Sequence, residues 1–310
     1  MADRQLLLIK AEANYGEGAA AAAADVIWGE NVAFRPIGQV VTGAPAKPGL
    51  GGVRGFSYGE HAELTFSVPL GGSAAAGTAP KWGALFKACG WAETIAAGVS
   101  VTYSLAADPA ASPSVAPIWR DGIHLHQLVG ARGRVGFTFE EGQRPLANFA
   151  LRGLLMPVDA GEPLVHGDAD FTGWKDLKPV SQGSTLFSIG AIEPPLRSLT
   201  LEQSDNVLFS DRPNQKSVDL VGARTWSGRL RVSSLSPDDL NFEALRLANT
   251  LSTLALTHGT VAGQILTLNV KAETGMPTYS DDRGVHVSEV DLMPKPSGLS
   301  VDDEISLVLT

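Results

Sequence analysis

Histidine, acidic and cysteine side chains are the residues of this 310-residue chain that could perform chemistry. His124 and His126 stand two residues apart, so on a strand they share a face and could supply two ligands to a zinc ion. A structural zinc site takes four ligands, and no third or fourth ligand is evident in the sequence. The pair is therefore more simply interpreted as two histidines on a surface or edge strand.

The other ionisable clusters do not have the spacing of a recognised site. The acidic pairs and triplets lack the ligand order of a calcium loop, and we interpret them as solvated turn residues: Asp281-Asp282 and Asp302-Asp303-Glu304. The remaining histidines are scattered, and each is interpreted as a structural or solvent-facing side chain: His61, His166, His258 and His286.

A nucleophile or a phosphate-binding loop is not indicated either. Cys89 falls on an apolar helical stripe, where a free cysteine behaves as a small hydrophobe. Gly49-Leu50-Gly51-Gly52 has the glycine content of a phosphate-binding loop but lacks its Lys-Ser/Thr ending. The sequence contains no G-x-S-x-G nucleophile elbow. We therefore predict no catalytic, cofactor-binding or metal-binding residue, no cofactor and no enzymatic activity.

Composition restricts the partners of the chain. With 33 acidic against 24 basic residues the formal net charge is -9, which argues against tight non-specific binding to DNA or anionic membranes. The single cysteine excludes an internal disulfide and indicates synthesis in a reducing cytoplasm. Apolar runs are too short to span a membrane, and the apolar run near the N-terminus is too short for a secretory signal.

The first half of the chain predicts strands around one helix. Alternating apolar residues predict a strand at His61–Leu70 and a strand pair at Arg132–Met156. A helix is predicted within Pro80–Ile95, because four apolar residues in it follow helical spacing: Trp82, Leu85, Phe86 and Cys89.

The second half repeats this order. A strand is predicted at Thr225–Leu235, a helix within Pro237–His258 and strands over Gly263–Pro294, followed by a last strand around Ile305–Leu309. Ser236 is predicted to cap the helix, with Gly259 just beyond its end. Its buried stripe is predicted to consist of Leu240, Leu247, Leu251 and Leu254.

The repeated order predicts an internal duplication with four segments. These are an N-terminal arm (1–30) that orders on a neighbour, a first domain (31–156), an inter-domain connection (157–195) and a second domain (196–310). Long Gly/Pro-rich loops occupy equivalent positions at Pro36–Glu60 and Ser204–Arg224, and loops of this length are usually functional or disordered. A duplication without a catalytic cluster indicates a protein that packs in a symmetric array.

Two segments of the first half carry a family resemblance. The predicted helix, with its flanks at residues 79–94, resembles the helix of the tail tube (major tail) proteins of long-tailed bacteriophages. Residues 128–139, followed by Gly142-Gln143-Arg144-Pro145 and residues 149–154, resemble the strand pair of that family. The chain departs from the family pattern at Glu141-Gly142-Gln143 and at Leu154-Leu155. The resemblance is specific over residues 60–156 and rests on element order in the second half.

The resemblance implies a mainly β fold with flanking helices, made of two tandem tail-tube-type β-sandwich domains. It implies a virion structural protein, made in the host bacterial cytoplasm, whose rings stack into a hollow tail tube through which DNA is delivered. The partners implied are other copies of the chain and further tail proteins at the tube ends, with no membrane. The resemblance also implies hexameric rings for single-domain members of that family, so two tandem domains per chain are expected to form a homotrimeric ring with pseudo-sixfold symmetry.

Three alternatives remain open at this point. The chain could be another tube-like or tail-end ring component of a phage or injection device. It could be a β-sandwich module that binds carbohydrate or protein, or a β-rich enzyme. For a tube, the two long loops and the N-terminal arm are expected to contact the next ring. The channel wall is expected to be net negative and not to bind DNA, with Arg229 and Arg231 paired with acids at subunit contacts.

Overall fold

A computed structural model describes residues 5–44, 49, 51–73, 75–122, 124–158, 169–174 and 177–310 of the chain. Strands account for most of the described residues, and neighbouring strands run antiparallel in large sheets. The prediction of a mainly β protein is therefore confirmed. Residues 159–168 of the predicted connection and residues 45–48 and 50 of the first long loop lie outside the described residues.

The described residues of the first half form eight strands and one α-helix. They are β1 (Gln5–Ala11), β2 (Glu30–Thr42), β3 (Gly55–Pro69), α1 (Gly83–Ala88), β4 (Trp91–Ala96), β5 (Ser100–Leu105), β6 (Val115–Asp121), β7 (His124–Glu140) and β8 (Leu146–Leu155).

In the second half, ten strands and one α-helix are formed by the residues that the structure describes. They are β9 (Thr185–Ile189), β10 (Leu196–Gln203), β11 (Val207–Arg212), β12 (Gln215–Leu220), β13 (Trp226–Ser233), α2 (Phe242–Leu247), β14 (Ser252–His258), β15 (Leu266–Thr274), β16 (Thr278–Asp282), β17 (Val285–Pro294) and β18 (Ile305–Leu309).

Eight strands form a continuous layer in the order β2-β3-β8-β7-β10-β13-β17-β16. Along each inner strand, apolar residues face the core and alternate with polar residues on the other face, as expected for a sheet with one buried side. We call the polar side the outer face. Leu199 and Leu201 of β10, for example, are buried, whereas Thr200 and Glu202 between and beside them are not.

Further strands pair into two groups, β1-β6-β7 and β9-β14-β15-β18-β5-β4. β7 belongs both to the eight-stranded layer and to the first of these groups, because its first part pairs with β6 and its last part pairs with β8 and β10. The change occurs at an irregularity between Val129 and Arg132, where Gly130 has a φ of 61°. A β-carbon at Gly130 would lie 2.7 Å from the Tyr15 ring, so the close approach of that ring requires glycine.

The strand pairings show that the two halves repeat one unit. Pairs β1·β6, β6·β7, β2·β3, β3·β8 and β7·β8 of the first half correspond to β9·β14, β14·β15, β10·β13, β13·β17 and β16·β17 of the second. Each corresponding pair is antiparallel, and the helix follows the third strand of each unit. The two halves therefore share an order of strand pairing, and their division into two duplicated domains stays a prediction.

The two repeats do not have separate sheets. β7 of the first pairs with β10 of the second, and β5 of the first pairs with β18 of the second. One hydrophobic cluster also includes side chains from both halves, such as Phe137 and Leu201. The expectation that each half forms its own sandwich is therefore modified, since the halves share a layer and a core.

Three segment interpretations are corrected by the structure. Residues 5–27 are not an arm that waits for a neighbour, because β1 pairs with β6 and Leu8 and Val26 are buried. The connection 157–195 contains β9, which pairs with β14. Both long loops are largely β: β2 and β3 extend into Pro36–Glu60, and Ser204–Arg224 contains the β11–β12 hairpin.

The two helices are shorter than predicted. The range Pro80–Ile95 contains α1 and then β4, and the predicted stripe Trp82, Leu85, Phe86 and Cys89 is fully buried. The range Pro237–His258 contains the short α2 and then β14. Leu254 is buried on the strand, because it alternates with exposed Thr253 at a period of two, while Leu247 is 79% exposed. Asn241, and not Ser236, caps α2 by accepting a hydrogen bond from the Ala244 N–H.

Phe86 on α1 lies at the centre of the aromatic core. Its ring centroid is 4.8–5.9 Å from those of five other rings: Trp82, Trp91, Tyr103, Phe137 and Phe149. We predict that Phe86→Ala lowers the free energy of unfolding by about 3–5 kcal/mol, since it leaves a cavity among rigid rings. Leu247→Ala, on exposed α2, should change it by less than about 0.5 kcal/mol. Denaturant titration of both variants measures this, and similar losses would contradict the assignment of the core.

Candidate assembly surfaces

The outermost strands of the eight-stranded layer, β2 and β16, are its two edges. Within the described residues β2 pairs only with β3, and β16 pairs only with β17. An edge strand presents a row of backbone N–H and C=O groups that another strand can pair with. The layer therefore has two candidate surfaces for a neighbouring chain.

The β16 edge is short, and the turn that follows it determines which of its backbone groups point outward. Arg283 and Gly284 form a two-residue turn with φ of 56° and 83°, and Asp282 pairs with Val285 across it. Residues that flank a two-residue turn exchange hydrogen bonds, and hydrogen-bonded positions alternate along the strand. The backbone groups of Tyr279 and Asp281 therefore point away from β17. The Asp281 carboxylate also accepts a hydrogen bond from the Gly284 N–H at 2.8 Å, which fixes the turn.

The β2 edge is longer and extends beyond the core. Proline at Pro36 is typical of edge strands, because it cannot donate to a ladder. Beyond it, the end of the β2–β3 ladder carries two large apolar side chains that lie opposite each other with high exposure, 56% for Val41 and 77% for Phe56. Exposed apolar side chains that cluster in this way are typical of protein interfaces.

The junction between β7 and β10 shows how two repeats join within the chain. Gly136–Glu140 pairs with Ser198–Glu202 in an antiparallel ladder. Phe137 and Leu201 face the core as direct partners, and Thr138 and Thr200 lie opposite each other on the outer face. β10 is the equivalent of β2, and the last part of β7 is the equivalent of β16. The same junction between chains would therefore join β16 of one copy to β2 of the next.

Two arginines on the outer face are paired with acids of the same chain. Arg229 lies 3.1 Å from a carboxylate oxygen of Glu289 and 3.3 Å from one of Asp291, and Arg231 lies 3.3 Å from Glu289. The expected pairing of both arginines with acids is confirmed, and the acids belong to the neighbouring strand of the same chain. A location of these arginines at subunit contacts stays a prediction.

The two histidines with metal-ligand spacing lie on one strand and share a face, with ring centroids 6.1 Å apart. His126 packs against Trp119 and Phe34, and its pKa is lowered by burial and by the neighbouring His124. In the part of the chain that the structure describes, no group of three histidine, cysteine or acidic side chains is placed to hold a metal ion. The histidine pair belongs to the aromatic packing around β6.

The other singled-out histidines lie in three different surroundings. His61 stacks on Phe209 with centroids 4.1 Å apart, and His258 is buried with Nδ1 2.8 Å from the Thr185 hydroxyl. Burial lowers the pKa of His258. His286 lies exposed on β17, and His166 lies outside the described residues.

The cysteine and the acidic clusters serve the fold. Cys89 is fully buried, and burial raises the pKa of its thiol, so the predicted role as a small hydrophobe is confirmed. Asp303 binds Lys271 and Ser297, which lower its pKa, and burial raises the pKa of Glu304. Asp302 lies 3.7 Å from Arg224. The triplet is thus an ion-paired turn. Gly51 and Gly52 lie in the connection between β2 and β3, and Leu50 lies outside the described residues.

One apolar cavity of about 450 Å³ opens beside β1. Its described lining is aromatic and aliphatic, with Gln5 as its polar side chain, and no acid, base or nucleophile is among these lining residues: Leu6, Leu7, Ile27, Trp28, Val32, Trp119, Phe171 and Trp174. Such a lining offers packing surface and no group for acid-base or nucleophilic catalysis.

No protein-family model matches the chain, and no curated protein matches it at a significant level. Among the described residues, no helix is long and apolar enough to cross a membrane. The assignment of function therefore depends on the repeat and on the two edges.

Burial of neutral His258 predicts a specific pH dependence of stability. Its pKa is lower in the folded chain than in the unfolded chain, so the unfolded chain takes up the proton first as the pH falls through about 6.5. Stability should therefore decrease between about pH 7.5 and 5.5, and His258→Gln should flatten this decrease. Thermal unfolding at several pH values measures it. His286→Gln controls for the loss of an exposed histidine, and an equally steep decrease in His258→Gln would contradict the assignment.

Proposed function

We propose that this chain is a virion structural protein that polymerises into stacked rings and forms the hollow tail tube of a long-tailed bacteriophage. The observation that carries the proposal is the combination of an internal β7·β10 junction with unpaired equivalents at both ends of the same layer. Such a chain contains one complete junction, β7·β10, and carries one strand of a second junction at each edge, β2 and β16. The family resemblance of residues 60–156 supports the same conclusion.

The ring closes when β16 of each copy pairs with β2 of the next. This contact is heterologous, because two different surfaces of the chain meet, and a heterologous contact closes into a ring when its rotation divides a full turn. The two repeats are tail-tube-type units that occupy successive positions. Three chains then fill six positions with pseudo-sixfold symmetry.

The outer face of the eight-stranded layer lines the channel. Its core-facing side is occupied by the hydrophobic cluster, so the polar side is the one available to water and DNA. The arginines on it are neutralised by Glu289 and Asp291, and the chain as a whole is acidic. DNA carries about one charge per 1.7 Å of duplex axis, so a wall on which Arg229 and Arg231 are ion-paired offers the DNA fewer cations to contact simultaneously.

Electron microscopy of the purified protein tests this function. The expected result is rings or tubes whose reconstruction contains three chains per ring and a continuous β wall. Six chains per ring would contradict the tandem arrangement, and particles that remain monomeric at all concentrations would contradict the function. A monomer that binds sugar saturably would instead identify a β-sandwich binding module.

Backbone substitution at the β16 edge tests the ring contact. Tyr279→Pro removes an N–H that points away from β17, so the ladder within the chain survives while a new strand loses a donor. We predict a folded protein that does not form rings. Tyr279→Ala keeps the N–H and is the matched control for the side chain, so it should form rings. Ring formation by Tyr279→Pro at the wild-type concentration would contradict pairing at this edge.

A further inference from the structure

The two repeats carry matching insertions that behave differently. In the first repeat, β2 and β3 continue past the core as one ladder, and we call its described residues 37–44, 49 and 51–60 the arm. In the second repeat, the same position between β10 and β13 holds the β11–β12 hairpin. Most described side chains of the arm are exposed, whereas the hairpin packs on β7 and β8.

The β11–β12 hairpin lies across the strands of the other repeat. Val207, Val218 and Leu220 form a small apolar cluster to which Leu154 of β8 contributes. Arg132 of β7 lies 3.0 Å from an Asp219 carboxylate oxygen. A second arginine, Arg152 of β8, lies 2.6 Å from Asp205 and donates to the Val207 carbonyl at 2.8 Å. The hairpin leaves β10, crosses the β7·β10 junction and covers the two strands on its far side.

The arm has the corresponding features without a cover. Val41 lies opposite Phe56, and Gln39 lies opposite Tyr58, so Val41, Phe56 and Tyr58 share one face of the ladder. Val41 and Phe56 are 56% and 77% exposed. Tyr58 donates to the Asp211 carbonyl at 2.7 Å, which holds the base of the arm against the hairpin of the second repeat.

The far side of the proposed ring contact offers a matching surface. β16 and β17 are the equivalents of the strands that the hairpin covers. Val285, which is 41% exposed, lies opposite Asp282 on one face of their ladder, and Arg283 of the turn lies 4.0 Å from Asp282. The arm carries exposed Arg54 beside its apolar side chains. An exposed apolar side chain and a carboxylate are therefore available on one side, and apolar side chains and an arginine on the other.

We propose that the arm lies across β16 and β17 of the neighbouring copy in the same ring, as β11–β12 lies across β7 and β8 within the chain. This inference rests on the proposed function, because it requires the β16·β2 contact. It assigns the arm to lateral contact within a ring, where the sequence alone led to the expectation of contact between rings. It also explains why only the second hairpin is folded back, since its target is in the same chain.

A double substitution on the arm tests the proposal. Val41→Ser with Phe56→Ser removes two exposed apolar side chains, so the chain should keep its wild-type melting temperature and raise the concentration needed for rings at least about tenfold. Leu247→Ser removes an equally exposed apolar side chain on α2 and should assemble like the wild type. Rings from the arm variant at the wild-type concentration would overturn the proposal while leaving the tube function intact. A wild-type chain that forms no rings would overturn both.

Crosslinking identifies the surface that the arm contacts. A benzophenone attached at Ser57→Cys labels the arm selectively, because Cys89 is fully buried. Photolysis of rings assembled from mixed light and heavy-isotope copies should give light–heavy crosslinks to residues 276–294. Crosslinks concentrated on any other part of the chain, including loops that would face a stacked ring, would overturn the lateral position of the arm.

Discussion

The backbone ladder between β7 and β10 is the interaction on which this architecture depends. It joins strands from two repeats in the middle of a layer whose buried side chains, Phe137 and Leu201 among them, belong to one core. A backbone hydrogen bond contributes about 1 kcal/mol net, but a buried group left unpaired costs about 1–3 kcal/mol. Separation of the repeats would therefore expose both the ladder and the apolar side chains beneath it, and the halves are expected to unfold together.

The differences between the repeats strengthen this connection. β4 and β5 have no counterpart in the second repeat, and β5 pairs with β18 at the edge of the second repeat's strands. The β11–β12 hairpin of the second repeat packs on β7 and β8 of the first. Each repeat thus sends an insertion onto the other. Among the described residues, β2 and β16 each pair on one side only, and Val41 and Phe56 of the arm are exposed, which is why these parts point to other copies.

Local patterns in the sequence predict the strands and helices that bury one face. They give the wrong element where a run of apolar residues fits both the strand period and the helical period. Leu64, Phe66 and Val68 alternate strictly and gave β3, and the helical spacing of Trp82, Leu85 and Phe86 gave α1. The leucines of residues 240–254 fit a helical period, so the sequence predicts a helix where the structure has β14. The strand alternation is weak there, because Leu254 and Leu256 alternate with Thr and Ala and not with charged residues. The apolar run Leu6–Ile9 does not indicate a strand by its pattern, because a strand buried on both faces shows no alternation.

The joint between the repeats could not be predicted in the same way. Alternation at Leu199 and Leu201 is visible in the sequence and indicates a strand, but it does not say which strand lies beside it, since strand partners are set by tertiary packing. For the histidines, the sequence correctly predicts that His124 and His126 share a face. It does not predict what surrounds His126, because its neighbour Phe34 is far away in the chain. The equivalence of β2 with β10 and of β16 with the end of β7 required the pairing pattern.

Hydrogen exchange at the two edges tests the central claim, that assembly pairs β16 with β2 of another copy. The amides of Tyr279 and Asp281 should exchange at least about tenfold more slowly in assembled protein than in dilute monomer, because opening must then break a contact of at least ~1.4 kcal/mol. Amides of β2 should be protected together with them, while those of the β7·β10 ladder should be protected in both states. Assembled protein in which β16 and β2 exchange as fast as in the monomer would contradict the account.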